Sequence, residues 1–401
     1  MSDHSAVPSG RLVDKQLVII GGGPAGLSTA LHLQAIAPRL AEQAIVLEAE
    51  PYPRDKICAG GLGMRGLAAL DKLGIALDVP MVPIDAVGVR LASETIVTRV
   101  ERCGVVVRRF ELDHALARAA VARGIEVHDA TPVMAIELRD DGVHVTTATT
   151  TYRAKAIVGA DGVGGIVRRA AGFARHELRA QVCELDTEAT PHDLPRDTVV
   201  FDFAMRDLAG YAWDFPTLVA GAPLVCRGAY AIHTLARDAP RARLAAYLAA
   251  RGLELGRYRL KQYAERGFDP GAPIARPRVL LVGEAAGIDI ATGEGIAQAI
   301  EYGATAAPYL ARAFERDDFG FASWRRYVAR HHVGWQLRIR HLCYRAFYGE
   351  HRDAVERIMP ALTALLRVGV EDFAGLPVSK LALAHGLGQL LAAYIHERAR
   401  D

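Results

Sequence analysis

Short, wholly apolar runs alternating with helical patterns dominate the first half of the chain. Gln16 to Ile20 and Ala44 to Leu47 lack the in–out alternation of a half-exposed strand, which predicts parallel strands buried on both faces. Between them, Pro24 to Ala35 carries apolar residues at helical spacing. The alternation recurs as a strand at Val105 to Val107, a helix from Asp113 to Arg123 and a strand at Glu126-Val127. Ile136 to Leu138 and Val143 to Thr146, split by Asp140-Asp141-Gly142, predict a β-hairpin, and Thr150 to Ile157 predicts a strand running into Val158. From about residue 175 to 268, short apolar runs broken by Pro and charges predict a second sheet with helices, one at Arg241 to Ala250. Val279 to Val282 predicts a further buried strand. Gly295 to Ala313 predicts a helix that Pro308 kinks or breaks near its end, and from Phe321 onward the pattern is helical. The chain shows neither an internal repeat nor a low-complexity linker, which predicts interwoven domains.

Composition narrows the classes. At 401 residues and 51% hydrophobic, the chain can bury a large core in two or three units. A net charge of +2, from 48 basic and 46 acidic residues, is no footprint for nucleic acid. The excess of Arg over Lys and the abundant Ala read as genomic bias. Five scattered cysteines without a Cys-x-x-Cys pair indicate neither a disulfide scaffold nor a metal site. Met1 to Lys15 lacks the apolar block of a secretory signal, and Val279 to Ile300 is interrupted by Glu284, Asp289 and Glu294, so no membrane span is expected. The expected location is cytoplasmic. Hydrolase, kinase and zinc-enzyme motifs are missing from the sequence.

Three glycine-rich signatures follow in order: Gly21-Gly22-Gly23-Pro24-Ala25-Gly26, Gly159-Ala160-Asp161-Gly162 and Gly283-Glu284-Ala285-Ala286-Gly287. The first sits in a strand, glycine turn, helix, strand, acid context, which distinguishes a dinucleotide site from an ordinary glycine turn. Gly21 permits the tight turn, Gly23 lets backbone approach a pyrophosphate, and Gly26 allows close packing of helix on strand. The following helix offers free N–H groups to phosphates, and Glu48 is spaced to accept ribose hydroxyls.

Together these residues resemble the FAD-dependent oxidoreductases of the p-hydroxybenzoate hydroxylase-like superfamily, and within it the geranylgeranyl reductase-like branch. The resemblance runs from about residue 16 to 315. It implies FAD, with Asp161-Gly162 beside the pyrophosphate, Glu284 at the ribityl chain, and Thr292-Gly293-Glu294-Gly295-Ile296 opening a helix that faces the flavin ring. It also implies that Arg109 lies against the flavin and that Val133 contacts adenine; the alternative for Arg109 is a surface residue at a helix entry, with Asp113 as the N-cap. Two positions depart from the family. The third motif reads Gly283-Glu284 where Gly-Asp is usual, and Gly165 stands where a Ser is common. A single dinucleotide fingerprint implies that any NAD(P)H donor binds transiently.

Two further stretches match the reductase branch. Lys56-Ile57-Cys58-Ala59-Gly60-Gly61 is similar to a Lys-x-Cys-Gly-Gly segment that passes along the flavin, so Lys56, Cys58, Ala59 and Gly61 join the cofactor set. The His-x-Gly-Glu-Ser version of related halogenases does not occur. Gly210-Tyr211-Ala212-Trp213-Asp214-Phe215-Pro216 matches a Gly-Tyr-x-Trp-x-Phe-Pro signature, and strand alternation puts Tyr211, Trp213 and Phe215 on one face with Asp214 opposite. That face suits an apolar substrate; the alternative is an aromatic core between sheets. Cys58, Tyr211 and Trp213 are the catalytic candidates, with a small buried hydrophobe as the plainer reading of Cys58. From Trp324 to Arg345, an apolar side of Trp324, Val328, Trp335, Ile339 and Leu342 is flanked by Arg325, Arg326, Arg330, Arg338, Arg340 and Arg345. This reads as a helix covering the core with a solvated basic face, and keeps peripheral membrane contact open. His331 and His332 read as surface or helix residues.

The expected fold is α/β: a Rossmann-like FAD-binding domain interwoven with a mixed-sheet substrate domain and a helical C-terminal region. The expected boundaries are 14–174 (with an insertion near 62–104) and 269–315 for the first, 175–268 for the second, and 316–401 for the third. The expected activity is reduction of carbon–carbon double bonds in a prenyl-like substrate by hydride from reduced flavin. A flavin-dependent monooxygenase or halogenase of the same fold, and an electron-carrier flavoprotein, are the alternatives.

Overall fold

The computed structural model describes residues 11–174, 178–205, 208–232, 239–348, 357–359, 363–379, 381–386, 388–389 and 392. Two eight-stranded sheets organise the chain. In the first, the order is Ala275–Arg276, Val279–Leu281, Thr150–Gly159, Arg11–Ile20, Ala44–Leu47, Glu126–His128, with the antiparallel hairpin Ala135–Arg139/Gly142–Thr146 attached to Thr150–Gly159. Its central pairs are parallel, and the apolar runs are buried on both faces, as continuous hydrophobicity requires.

Register explains why three distant motifs meet. Ile20 pairs with both Leu47 and Gly159, and Gly159 pairs with Leu281. Four parallel strands therefore end level, and Gly21, Glu48, Ala160-Asp161 and Val282-Gly283 leave the sheet along one carboxyl edge. Open α/β sheets bind ligands at that edge.

The second sheet runs Lys261–Arg266, Arg179–Thr187, Ala222–Ile232, Gly210–Val219, Thr198–Asp202, Met81–Arg90, Thr95–Val107, Gly61–Gly63. On strand Gly210–Val219 the alternation predicted for the aromatic signature is observed. Tyr211, Trp213 and Phe215 pack in one cluster, and Asp214 points to the other face, where it meets Tyr247 of helix Ala239–Ala249.

Helix Pro24–Ile36 packs on helix Ile296–Glu315, where the Ser28 hydroxyl donates to the Ile300 carbonyl at 2.7 Å. Three local expectations are corrected. Helix Arg109–Ala122 starts four residues early, so Asp113 lies inside it, held by Arg109 one turn back, and is no N-cap. Pro308 does not end its helix, because the buried Leu310 and Ala313 keep the last turns packed. The stretch from Trp324 is two helices, Trp324–Ala329 and His332–Phe347, so its apolar residues form no single stripe. Trp324 and Val328 are core, whereas Trp335 and Leu342 are 44% and 63% exposed. No described helix is long and apolar enough to cross a membrane.

Candidate active site

A continuous cavity of about 1260 Å³ runs from the carboxyl edge of the first sheet to the aromatic face of the second. Gly21, Gly23, Pro24, Ala25, Glu48, Val133, Asp161, Gly162 and Glu284 line its first part. Lys56, Cys58, Ala59, Gly61 and Arg109 line it with Gly293, Gly295 and Ile296 where the two sheets meet, and Tyr211 and Trp213 line the far part. Gly26 and Gly283 lie outside the lining and serve packing. A β-carbon on Gly26 would collide with the Gly21 carbonyl, and one on Gly283 would sit 2.6 Å from the Ala25 β-carbon. Gly21 has φ +107° and presses against the Ala160 carbonyl, so its turn requires glycine.

At the sheet edge, charge is arranged in pairs. The Glu48 carboxylate accepts the Gly22 N–H at 2.8 Å and Arg54 at 2.9 Å. Arg54 also donates to the fully buried Asp113 at 2.9 Å, and Arg109 grips the same carboxylate through two bonds of 2.6 and 2.7 Å. Burial opposes the Arg109 charge, and the Asp113 carboxylate more than restores it. Arg109 is thus a fixed cation at the cavity wall.

Several features match the chemistry of FAD. Helix Pro24–Ile36 begins at Gly23 with no side-chain cap and no acid in its first turn, leaving N–H groups and positive potential toward the cavity. Helix Ile296–Glu315 begins likewise at Gly295. A β-carbon on Gly23 would face only guanidinium atoms of Arg109 and Arg54, at 3.4 and 3.9 Å. Asp161 Oδ1 and Glu284 Oε1 are buried acceptors without a hydrogen-bond partner among the described residues, and each suits a ligand hydroxyl. Glu284 Oε2 accepts the Tyr263 hydroxyl at 2.6 Å and faces Lys56 at 3.4 Å, so the extra methylene over Asp is absorbed by Tyr263. Burial pushes Asp161 up to about 6.

The aromatic part is compact. Tyr211 stacks on Tyr230 at 5.0 Å, leans on Trp213, Phe201 and Phe203, and donates its hydroxyl to the Thr292 carbonyl. Tyr211 and Trp213 are both buried. They form an inter-sheet core and a cavity wall at once. The Cys58 N–H donates to Glu184 Oε1 at 3.0 Å, and its sulfur accepts the Gly60 N–H at 3.4 Å. Burial pushes the thiol up, which opposes thiolate chemistry.

Beyond these aromatics lie apolar residues of helix Thr363–Phe373, including Leu366, Val370 and Phe373. Arg340, read from sequence as part of a solvated basic face, instead turns inward. It pairs with Asp289 at 3.2 Å and Glu294 at 3.1 Å, while Arg65 joins Glu294 to Asp372 of helix Thr363–Phe373. His332, read as a surface or helix residue, is exposed at the start of its helix, where it bridges Asp372 and Glu301, and those bonds raise it to about 9. The sequence reading missed Arg54, Tyr230, Tyr263 and Glu265, all of which line the cavity. Arg54 adjoins the Lys56 segment, but Tyr263-x-Glu265 carries no signal beyond strand alternation.

Residues 14–207 match the FAD binding domain family. The chain is 24% identical to digeranylgeranylglycerophospholipid reductase 2 of Methanosphaera stadtmanae, over 79% of this chain and 83% of that protein. It is 28% identical to the menaquinone reductase of Mycolicibacterium smegmatis, over 73% and 76%. Its fold matches a geranylgeranyl bacteriochlorophyll reductase-like protein from Thermoplasma acidophilum with a TM-score of 0.75, at 20% identity over 96% of this chain and 98% of the other.

Proposed function

We propose that this chain, an FAD-dependent oxidoreductase, saturates carbon–carbon double bonds of an apolar, prenyl-type lipid. The observation that carries the reading is continuity: the cleft lined by the glycine turns opens without a wall into a chamber of aromatic and aliphatic side chains. A polar substrate would leave its hydrogen-bonding groups unpaired there.

In this reading the turns at Gly21–Gly26 and Asp161-Gly162 hold the cofactor phosphates, with Glu48 and Glu284 toward its ribose and ribityl hydroxyls. Arg109, Lys56, Cys58, Ala59 and Gly61 line the ring's surroundings with Gly293, Gly295 and Ile296, and Val133 lies at the adenine. FAD, when bound and reduced, supplies a hydride. The chain's own work is to lay the alkene along Tyr211, Trp213 and Phe215 and to exclude water. Trp335 and Leu342, exposed at the cavity rim, offer an apolar entrance from a lipid surface.

The test is single-turnover reoxidation of the reduced protein with a prenyl lipid, under argon and then under oxygen. Loss of an alkene without oxygen supports the reading. Oxygenated product formed only with oxygen overturns it in favour of a monooxygenase.

A further inference from the structure

A reductase of this kind must deliver a proton as well as a hydride, and the chamber contains few groups able to give one. The Tyr211 hydroxyl is committed to the Thr292 carbonyl, and the Tyr230 hydroxyl donates to the Ile290 carbonyl at 3.3 Å. Lys56 is bound to Tyr263 and Glu284. The carboxyl groups divide more sharply. Glu48, Glu284, Glu294 and Asp372 each face an arginine or lysine at 2.9, 3.4, 3.0 and 3.1 Å, and Asp161 accepts the Val167 N–H at 2.9 Å. Glu265, on strand Lys261–Arg266, has neither kind of partner among the described residues, yet lines the cavity at 8% exposure.

Its position is specific. The space beside Gly293, where a β-carbon would lie, is bounded by Tyr211 Oη at 3.1 Å, Tyr230 Cε2 at 3.1 Å and Glu265 Oε2 at 3.4 Å. Gly293 stands at the entrance to helix Ile296–Glu315, where the glycine-lined cleft meets the aromatic chamber. A carboxyl with no paired cation among the described residues keeps its proton in such surroundings, because ionising it would leave a charge against aromatic rings with little to answer it.

We infer that Glu265 is the acid that protonates the second alkene carbon. The role rests on the reductase reading above. In the step, the alkene π bond is consumed. One carbon gains hydride, with its electron pair, from the reduced FAD. The other forms its new C–H bond with the Glu265 proton, whose O–H bond breaks and leaves its electrons on the carboxylate. Solvent returns the proton between turnovers. The groups around Glu265 act in the same sense. Burial, then the Glu284 and Asp289 carboxylates, hold it well above the usual carboxylate range, against a hydrogen bond from the Tyr230 hydroxyl and the charge of Lys56.

The experiment compares wild type with Glu265→Gln and Glu265→Asp in two arms. Infrared spectroscopy of the protein without lipid or reductant should show a protonated carboxylic-acid band, shifted in heavy water, that E265Q loses. In anaerobic single turnover, E265Q should take up FAD and lipid as wild type does but reduce the alkene about 10²-fold more slowly or worse, with E265D recovering part of the rate. The wild-type rate should fall as pH rises, and the E265Q rate should not follow it. An acid band that E265Q leaves unchanged, or an E265Q loss below about tenfold, overturns the role while leaving the reductase reading intact. A wild type that reduces no prenyl lipid overturns the reading itself, and the role with it.

Discussion

The Asp161 carboxyl occupies the space in which a β-carbon on Gly165 would lie, and from there it accepts the Val167 N–H at 2.9 Å. Gly165 precedes the short helix Ile166–Ala170, so Asp161 caps that helix from five residues ahead of its start. The glycine that departs from the resembling family's serine is therefore the one residue that lets Asp161 fold back into place.

Restoring that serine should harm the protein. Gly165→Ser forces the Asp161 side chain out, breaks its bond to Val167 and moves its free oxygen in the cavity. We expect a loss of about 1–3 kcal/mol in stability and a lower FAD-to-protein ratio after gel filtration. Unchanged FAD retention would show that Asp161 does not contribute to holding the cofactor.

Glu184 makes stability depend on pH. Burial raises it from 4.5 to about 7, although the Cys58 N–H and Arg108 pull it down. Between those two values the folded chain holds a proton that the unfolded chain releases. Stability is therefore fully present below about 4.5 and is lost as pH rises through about 7, by as much as about 3 kcal/mol. Glu184→Gln, which keeps an acceptor for Cys58, should flatten the slope. Urea midpoints measured below and above that window decide the matter, and equal slopes in both proteins would refute it.

Gly228 and Trp213 are directly opposite on neighbouring strands, and the indole lies over the glycine where a β-carbon would be. Gly228→Ala should push Trp213 into the chamber. We expect weaker lipid binding, read by tryptophan fluorescence, with FAD content maintained and a stability cost of about 1–3 kcal/mol. Equal loss of FAD and lipid would mean that the two parts of the cavity are not separable.

Asp214, between two signature aromatics, is structural. It meets the fully buried Arg227 at 2.6 Å, Tyr247 at 2.7 Å and Arg251 at 3.1 Å, on the face away from the cavity. Asp214→Ala strands a buried guanidinium, and we expect about 3 kcal/mol of destabilisation, the low end for a broken buried pair, because Arg227 retains Asp193. Turnover per folded molecule should hold. A selective loss of turnover in a fully folded variant would give Asp214 a role in chemistry.

Sequence alone determined the elements whose causes are local. The apolar runs Gln16–Ile20 and Ala44–Leu47 had to be doubly buried strands, the turn at Gly21 needed a backbone open only to glycine, and alternation placed Tyr211, Trp213 and Phe215 on one face and Asp214 on the other. Those constraints act over a few residues and are written in residue type. What the tertiary structure decided is which charges are answered. Arg340 turns inward because Asp289 and Glu294 wait there, Asp113 enters its helix because Arg54 and Arg109 hold it, and Glu265 lines the chamber with no paired cation among the described residues. Each depends on neighbours that other strands and helices supply, as Arg54 reaches Asp113 from 59 residues away and Arg340 reaches Asp289 from 51. Burial and Coulomb energy are set by neighbours in space, and no short stretch of sequence encodes them.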